Sequence, residues 1–409
     1  MVRVEGEKIV FEGHLRGEAR GALVCIYQLV KNLDHKHIIL DFSNVNYAEA
    51  SVMLPVASYA AFYRAHQIDF SLVEPTDPAT SRLFINTSWA HLIDPYKFNL
   101  NVKRRSNNLP ALQFQDGDAQ HKVVNKALEI LMETIKFQGR DQLKALEWAI
   151  NEITDNVLNH SESPIGGFVQ IQSFPTKNKV SFYVVDAGLG IPYTLRRASP
   201  DITSDSQALD RAIREGVTRS PKTNQGNGLY GTFKCCEVSH GALTIVSNRA
   251  ILKYDNNGLK VSTDNVPFRG SFIHATIDYS TNSLLEKAFV FKGKVHEPGN
   301  DYIDMHYQYD ELEDKIVFYV LSEVEGFGSR DFGRRARLKI DNILIDQGNA
   351  ILFDFSGIPL ISSSFADEVF AKLFVELGPL EFMRRCSFRS VDPTVKRLID
   401  KAIEQRVKA

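Results

Sequence analysis

The chain has 409 residues, 44% hydrophobic and 24% charged, a globular composition too long for one ordinary core and sized for two or three domains. Its 48 basic residues against 50 acidic ones leave a formal charge of −2, which gives no basis for a generic nucleic-acid or membrane surface. The four cysteines (Cys25, Cys235, Cys236 and Cys386) lack a metal-ligand rhythm, the first residues have no apolar signal core, and no run of ~18 apolar residues occurs, so a cytoplasmic protein is expected.

In chain order, Ile9–Phe11 reads as a strand and Gly21–Leu33 as a helix. His37–Ser43 reads as a buried strand, Ala50–Tyr63 as an apolar helix and Phe70–Val73 as a strand. Such alternation predicts an α/β domain. The polar stretch Val102–Pro110 interrupts it, and its basic triplet Lys103-Arg104-Arg105 reads as a solvated linker rather than a nucleic-acid contact. Two helical patterns follow, His121–Lys136 and Asp141–Asn159, then strands at Phe168–Gln172 and Val180–Val185. After a Ser/Asp/Arg-rich interval come a helix from Leu229 and four strand-like runs ending at Ile277. Helices and strands segregate here, as in an α+β sandwich.

The last segment echoes the first. Ala350-Ile-Leu-Phe-Asp354-Phe-Ser356 matches Ile38-Ile-Leu-Asp41-Phe-Ser43. A serine lies ten residues after each aspartate, Ser51 and Ser364, and an apolar helix follows both. The shared order of strand, turn and helix suggests a duplicated domain type.

Three central boxes carry chemistry. Glu152 and Asn156, four apart in a helical pattern, share one face. An asparagine oxygen is a hard ligand suited to Mg²⁺, and a glutamate one turn earlier can act as a base; the same pair also suits an ordinary exposed helix face. Asp186 ends an apolar strand run and enters Ala-Gly188-Leu-Gly190, so its carboxylate can accept from an adenine amine where glycines let backbone approach a flat base; a tight turn reads the same way. Gly226-Asn-Gly228-Leu229-Tyr230-Gly231 leads into a helix whose N-terminus can cradle phosphate or simply begin with glycines. Its spacing fits neither a Walker A loop nor a dinucleotide fingerprint.

In combination the boxes resemble the GHKL ATPases, the group of gyrase, the histidine kinases, the MutL mismatch-repair protein and the bacterial anti-sigma-factor kinases. The likeness spans about residues 115–280: Glu152-x-x-x-Asn156-x-x-x-His160, Asp186-x-Gly188-x-Gly190, the glycine box, Gly241-x-Leu243-x-Ile245-x-Ser247 and Gly270-Ser271. It implies a Bergerat-type sandwich binding ATP and Mg²⁺. By that resemblance Asn156 holds the metal, Asp186 reads adenine, Gly226, Gly228, Leu229, Tyr230 and Gly231 surround the phosphates, and Ser271 stands near the base. Residues 192–225 become a lid in which Arg214, Arg219 or Lys222, with Lys222 preferred, meets the γ-phosphate. Asn156-Val-Leu-Asn159 departs from the Asn-Ala-x-Lys of histidine kinases, and His121 lacks a phosphoacceptor context. Glu152 looks instead like the base of the anti-sigma kinases and of the hydrolysing members.

The flanking repeats resemble STAS domains, in which a GHKL kinase phosphorylates a serine at a helix start; Ser51 and Ser364 fall there. The flanks depart from the family's Asp-Ser-Ser-Gly, reading Glu49-Ala-Ser51-Val and Ser362-Ser-Ser364-Phe365. The second copy looks closer to a STAS-like family of unknown function often joined to GHKL domains. A helix cap is the competing reading for either serine. The expected architecture is a STAS-like α/β domain at 1–105, a GHKL domain at 106–284 and a second STAS-like domain at 285–409. The expected function is a slow ATPase or serine-kinase-like switch acting through its own or a partner's STAS-like domains, as a homodimer or with a protein partner. The alternatives are an ATP-gated binding module without significant catalysis and a DNA-associated ATPase; the near-neutral charge disfavours nucleic acid.

Overall fold

The computed structural model describes residues 1–32, 35–100, 107–214, 216, 228–291, 293–295 and 301–408. The chain divides into two compact units, Met1–Ala127 with Ala145–Glu297, and Leu128–Lys144 with Pro298–Ala409. Its fold is of mixed α/β and α+β class, built on three open sheets.

In the first unit, β1 (Val2–Glu5) and β2 (Lys8–Leu15) form an antiparallel hairpin, and β3 (His37–Ala48) and β4 (Asp69–Val73) add to it in parallel. Between β2 and β3 runs α1 (Arg20–Tyr27), which ends in a π-helical turn, and between β3 and β4 runs α2 (Ala50–Arg64). Then come α3 (Pro78–Asn86), capped by the Asp77 carboxylate accepting from Thr80 N–H at 2.8 Å, and α4 (Trp89–Ile93). Nearly every residue of α2 is buried, which explains why its sequence lacks a polar face.

A second sheet follows, from β5 (Asn108–Phe114), β6 (Gly167–Phe174), β7 (Lys179–Asp186), β8 (Ala242–Asp255) and β9 (Gly258–Asp278). Its order is β5-β6-β7-β9-β8, antiparallel throughout. The four strand-like runs of the sequence are therefore two long strands, broken in register around Asn248 by a bulge that re-aims the chain near Gly270. The helices of this region are α5 (Gly117–Thr134), α6 (Arg140–His160), α7 (Ile191–Ala198), α8 (Asp205–Ala212), α9 (Gly228–Val238) and α10 (Leu284–Ala288). The two-residue strands β10 (Val290–Phe291) and β11 (Lys294–Val295) pair after them. The division between units passes through α5 and α6.

Both faces of this second sheet are covered. On one, Phe168, Tyr183, Val185, Phe268 and Phe272 join the core of the first sheet and α2, and the Trp89 indole donates to Gln170 at 2.8 Å. On the other, Gly167 faces Val157 of α6 so closely that a Cβ would stand 2.8 Å from it. Two-sided burial is the reason β7 reads as a continuous apolar run rather than an alternating one.

The second unit contains α11 (Tyr302–His306), β12 (Gln308–Asp310), β13 (Lys315–Tyr319), α12 (Val320–Glu323), α13 (Arg330–Ile343) and β14 (Ile351–Asp354). After them α14 (Ser363–Ala366) runs through a π-helical turn into α15 (Lys372–Leu377), followed by α16 (Pro379–Arg385), β15 (Cys386–Arg389) and α17 (Pro393–Lys408). Strand β12 pairs antiparallel with β13, and β14 and β15 add in parallel, the same order and directions as β1 to β4. The shared Asp-Phe-Ser makes the same turn in both: Asp41 Oδ1 accepts from Ser43 N–H at 3.0 Å and Asp354 Oδ1 from Ser356 N–H at 2.8 Å. The sequence echo is thus a topological one.

Lys339 of α13 is fully buried in this unit. Its ammonium lies 3.0 Å from Glu323, 3.1 Å from Glu133 and 3.5 Å from Glu129. Burial opposes its charge, and the three carboxylates outweigh that and raise its pKa. No helix among the described residues is long and apolar enough to cross a membrane.

Candidate functional site

The site grows from the end of β7. Asp186 is buried there, and its Oδ1 accepts from Gly188 N–H at 2.8 Å. Burial pushes its carboxyl up to about 7, against the pull of the Gly188 and Ser271 backbone N–H groups and of Arg269. Ser271 of β9 reaches the Ser247 hydroxyl of β8 at 3.0 Å. Ser247 in turn donates to Gly270 C=O at 2.7 Å and accepts from Ile191 N–H at 2.9 Å. The structure thus brings Asp186, Gly188, Gly190 and Ser271 together, and adds Ser247 as the hydroxyl that joins β8 to β9 and to the start of α7.

The glycines here serve the chain's own close approaches. A Cβ on Gly188 would strike the Ser161 backbone at the end of α6, where Leu189 N–H also donates to Ser161 C=O at 2.7 Å. Gly190 has φ +83°, and a Cβ there would run into Asn248 and Ser247. Gly270 has φ +79° and lies against Asp186. Only glycine meets these demands without strain.

Glu152 and Asn156 sit half-buried one turn apart on α6. Burial, assisted by the charge of Asp155, pushes the Glu152 carboxyl up to about 7. A Cβ on Gly228, the first residue of α9, would collide with that carboxylate, so Glu152 lies against a helix start. Leu229 and Tyr230 are half-buried in the next positions. Gly231 does something different from its neighbours: a Cβ there would stand 2.5 Å from the Trp148 ring, so this glycine lets α9 pack on α6. Trp148 is itself set edge-on to Phe289 with centroids 4.5 Å apart.

Lys222, Gly226 and Arg219 lie outside the described residues, as do Lys103, Arg104 and Arg105. Arg214 is exposed and pairs with Asp210 at 2.5 Å. Among the described residues, no group of three or more His, Cys, Asp or Glu side chains could hold a metal ion. Cys235 and Cys236 are buried on α9, where desolvation raises both thiols.

The two repeat serines occupy second positions of their helices. Ser51 follows Ala50 on α2, and its hydroxyl is 3.5 Å from the Glu49 carboxylate. It lines a cavity of about 460 Å³ that also exposes Tyr183 and His274, neighbours on β7 and β9 whose rings stack at 4.2 Å. Burial pulls the His274 imidazole down to about 4. Ser364 is not the cap of its helix. Ser362 is, accepting from Phe365 N–H at 3.1 Å, and the Ser364 hydroxyl lies 3.0 Å from that of Ser362. The shift arises because the chain stays extended through Ser362 and only then turns.

Sequence reasoning missed Tyr59, Trp148 and Arg269. Arg269 N–H donates to the Tyr59 hydroxyl at 2.6 Å, its Nε donates to Ala187 C=O at 3.0 Å, and its guanidinium lies 4.1 Å from the Phe62 ring centroid. It therefore fastens the loop after Asp186 to α2. The bulged segment before Gly270 was the available signal, but nothing in the sequence named its partners.

These features define a mixed α/β protein with two sheets of one topology and a polar, glycine-lined end on a third. Residues 333–396, covering most of α13 through the start of α17, match the family described as a STAS-like domain of unknown function (DUF4325). The second unit therefore carries a STAS-like domain. No curated protein matches the chain.

Proposed function

We propose that the chain is a Mg-ATP-binding regulatory switch of GHKL type, a slow ATPase or serine kinase acting through its STAS-like domain and the like-ordered first sheet. The observation that carries this reading is that burial raises two carboxyls in distinct surroundings: the buried Asp186 among backbone N–H groups and serines, and the half-buried Glu152 against the start of α9.

The donor set fits the group. Asp186 has a carboxylate buried at a strand end beside Ser271, suited to accept from the exocyclic amine of adenine. Asn156 would supply one hard oxygen to Mg²⁺, which ordinarily keeps waters and phosphate oxygens as its other ligands. The bound nucleotide supplies a transferable phosphoryl group. Glu152 is the residue to take a proton from the attacking water or hydroxyl, since a carboxyl near 7 is partly ionised and basic enough to do so. Gly228 and the N–H groups that follow it offer the helix start to the phosphates. Gly231 contributes packing against Trp148 instead. Residence in the cytoplasm belongs to the same proposal.

Titration of the full chain with Mg-ATP, alongside phosphate release and phosphoserine detection, tests the reading. Glu152→Ala should keep ATP binding and lower turnover by about 100-fold or more. Unchanged turnover removes Glu152 from the chemistry, and absence of ATP binding in the wild type ends the proposal.

A further inference from the structure

A second cleft, of about 1130 Å³, opens on the other side of the loop that follows Asp186. Its walls come from α1, the π-helical turn after it, α2 and the bulged middle stretches of β8 and β9, with Gly188, Leu189 and Gly270 also in its lining, all within the first unit. Five of its residues carry or can carry positive charge: Lys31, Lys36, His66, Arg249 and Arg269. Its described lining includes no aspartate or glutamate, although the chain as a whole has more acids than bases. Five more are aromatic: Tyr27, Tyr59, Phe62, Tyr63 and Phe268. Tyr27 stands at the rim, 51% exposed.

Arg269 is held ready in this cleft. Its backbone is fixed by Tyr59, its Nε by Ala187, and its plane rests on Phe62, while its two Nη groups make no hydrogen bond among the described residues. A guanidinium oriented this way offers a planar donor pair that suits a phosphate. Tyr27, the exposed ring of the five, provides stacking surface for a flat group. The amides of Asn248 and Asn265, also in the wall, each present a donor beside an acceptor, the pattern that reads the edge of a base. A phosphorylated phenol has no such edge to be read.

We infer that this cleft binds a nucleotide unit, phosphate toward Arg249 and Arg269 and base toward Tyr27 and the asparagines, across the loop that follows Asp186 and opposite the adenine contact proposed for that carboxylate. The unit comes either as a free nucleotide or within a single strand. The site stands on its own lining and does not require the ATP reading.

The test uses the full chain and a fluorescein-labelled uridine pentanucleotide, a pyrimidine probe chosen so that an adenine-reading carboxylate is not engaged. Binding that weakens with salt is expected. Lys31→Glu with Arg249→Glu, both exposed positions, should weaken it about tenfold or more at moderate salt. Tyr27→Ala should weaken it about fivefold or more. Circular dichroism melts confirm that both variants fold. Asn156→Ala, outside the cleft lining, should leave probe binding unchanged while lowering affinity for Mg-ATP, so the two sites fail separately. Displacement by UMP assigns the cleft to free nucleotides, and displacement only by longer strands assigns it to single-stranded nucleic acid. The inference is overturned if the probe does not bind, if Asn156→Ala abolishes its binding, or if polyglutamate displaces it as well as unlabelled oligonucleotide does.

Discussion

Asp186 and Glu152 hold their protons to an unusually high pH because burial removes water that would stabilise the anion. Each folded pKa, about 7, lies above its ordinary value of 3.8 or 4.5, so between about pH 4 and 7 the folded chain binds more protons than the unfolded one. These two groups therefore make stability fall as pH rises through that window. A donor amine bound at Asp186 favours the ionised carboxylate, so Mg-ATP affinity should be about tenfold weaker at pH 6 than at pH 8 by calorimetry. A flat profile would remove Asp186 from the base contact. Glu323 shows the opposite sign. Burial alone would raise its carboxyl, but the His306 contact and the Lys339 charge together hold it down at about 2. Its contribution is complete above its ordinary value of 4.5 and is lost as pH falls toward 2. Glu323→Gln should cost about 1–3 kcal/mol at neutral pH, read by urea denaturation, because it removes one of the three carboxylates around the buried Lys339 ammonium. A loss below 1 kcal/mol would show that water or rearrangement compensates.

At the scale of elements, the helices around the site are positioned by contacts between small and large residues. Helix α9 approaches α6 because Gly231 leaves room for Trp148. Gly231→Ala drives a methyl into that ring and should destabilise the ligand-free chain by about 1–3 kcal/mol. If the glycine instead only cradled phosphate, the ligand-free melting temperature would stay put and ATP binding alone would suffer. Strands β8 and β9 show the complementary case, long hairpin partners whose ladder breaks at Asn248 and lets the chain at Gly270 close over Asp186.

Over the whole first unit, a continuous core ties the four-stranded sheet and α2 to one face of the five-stranded sheet. Arg269 and Tyr59 carry that tie to the loop after Asp186, with hydrogen bonds at both ends. Tyr59→Phe should lower stability by about 1 kcal/mol and weaken Mg-ATP binding a few fold, since the loop loses its anchor while the aromatic packing stays. Loss of stability with unchanged ATP affinity would confine Tyr59 to the core and deny it any part in the site. Cation–π contact with Phe62 holds Arg269 in place in the variant, so the expected effect is partial.

Much of this was legible in the residues. Periodicity located α2, α5, α6, β6 and β7 to within a few positions, because their apolar patterns are strong and local, and found the start of β3 but not its continuation from Asn44 to Ala48. The Asp-Phe-Ser echo anticipated two sheets of one topology, since an aspartate that turns the chain at a strand end acts through its immediate neighbours. The Asp186 and Gly270-Ser271 boxes named residues that meet where β7 ends against β9, whereas Glu152 lies against the start of α9. Sequence could not say that Gly231 serves Trp148, that Ser362 rather than Ser364 caps its helix, or that the four short strand runs are two long ones. Nor could it place Tyr59 against Arg269, 210 residues away. Those outcomes depend on which surfaces meet after folding, and a meeting between distant segments leaves no period or spacing in either one.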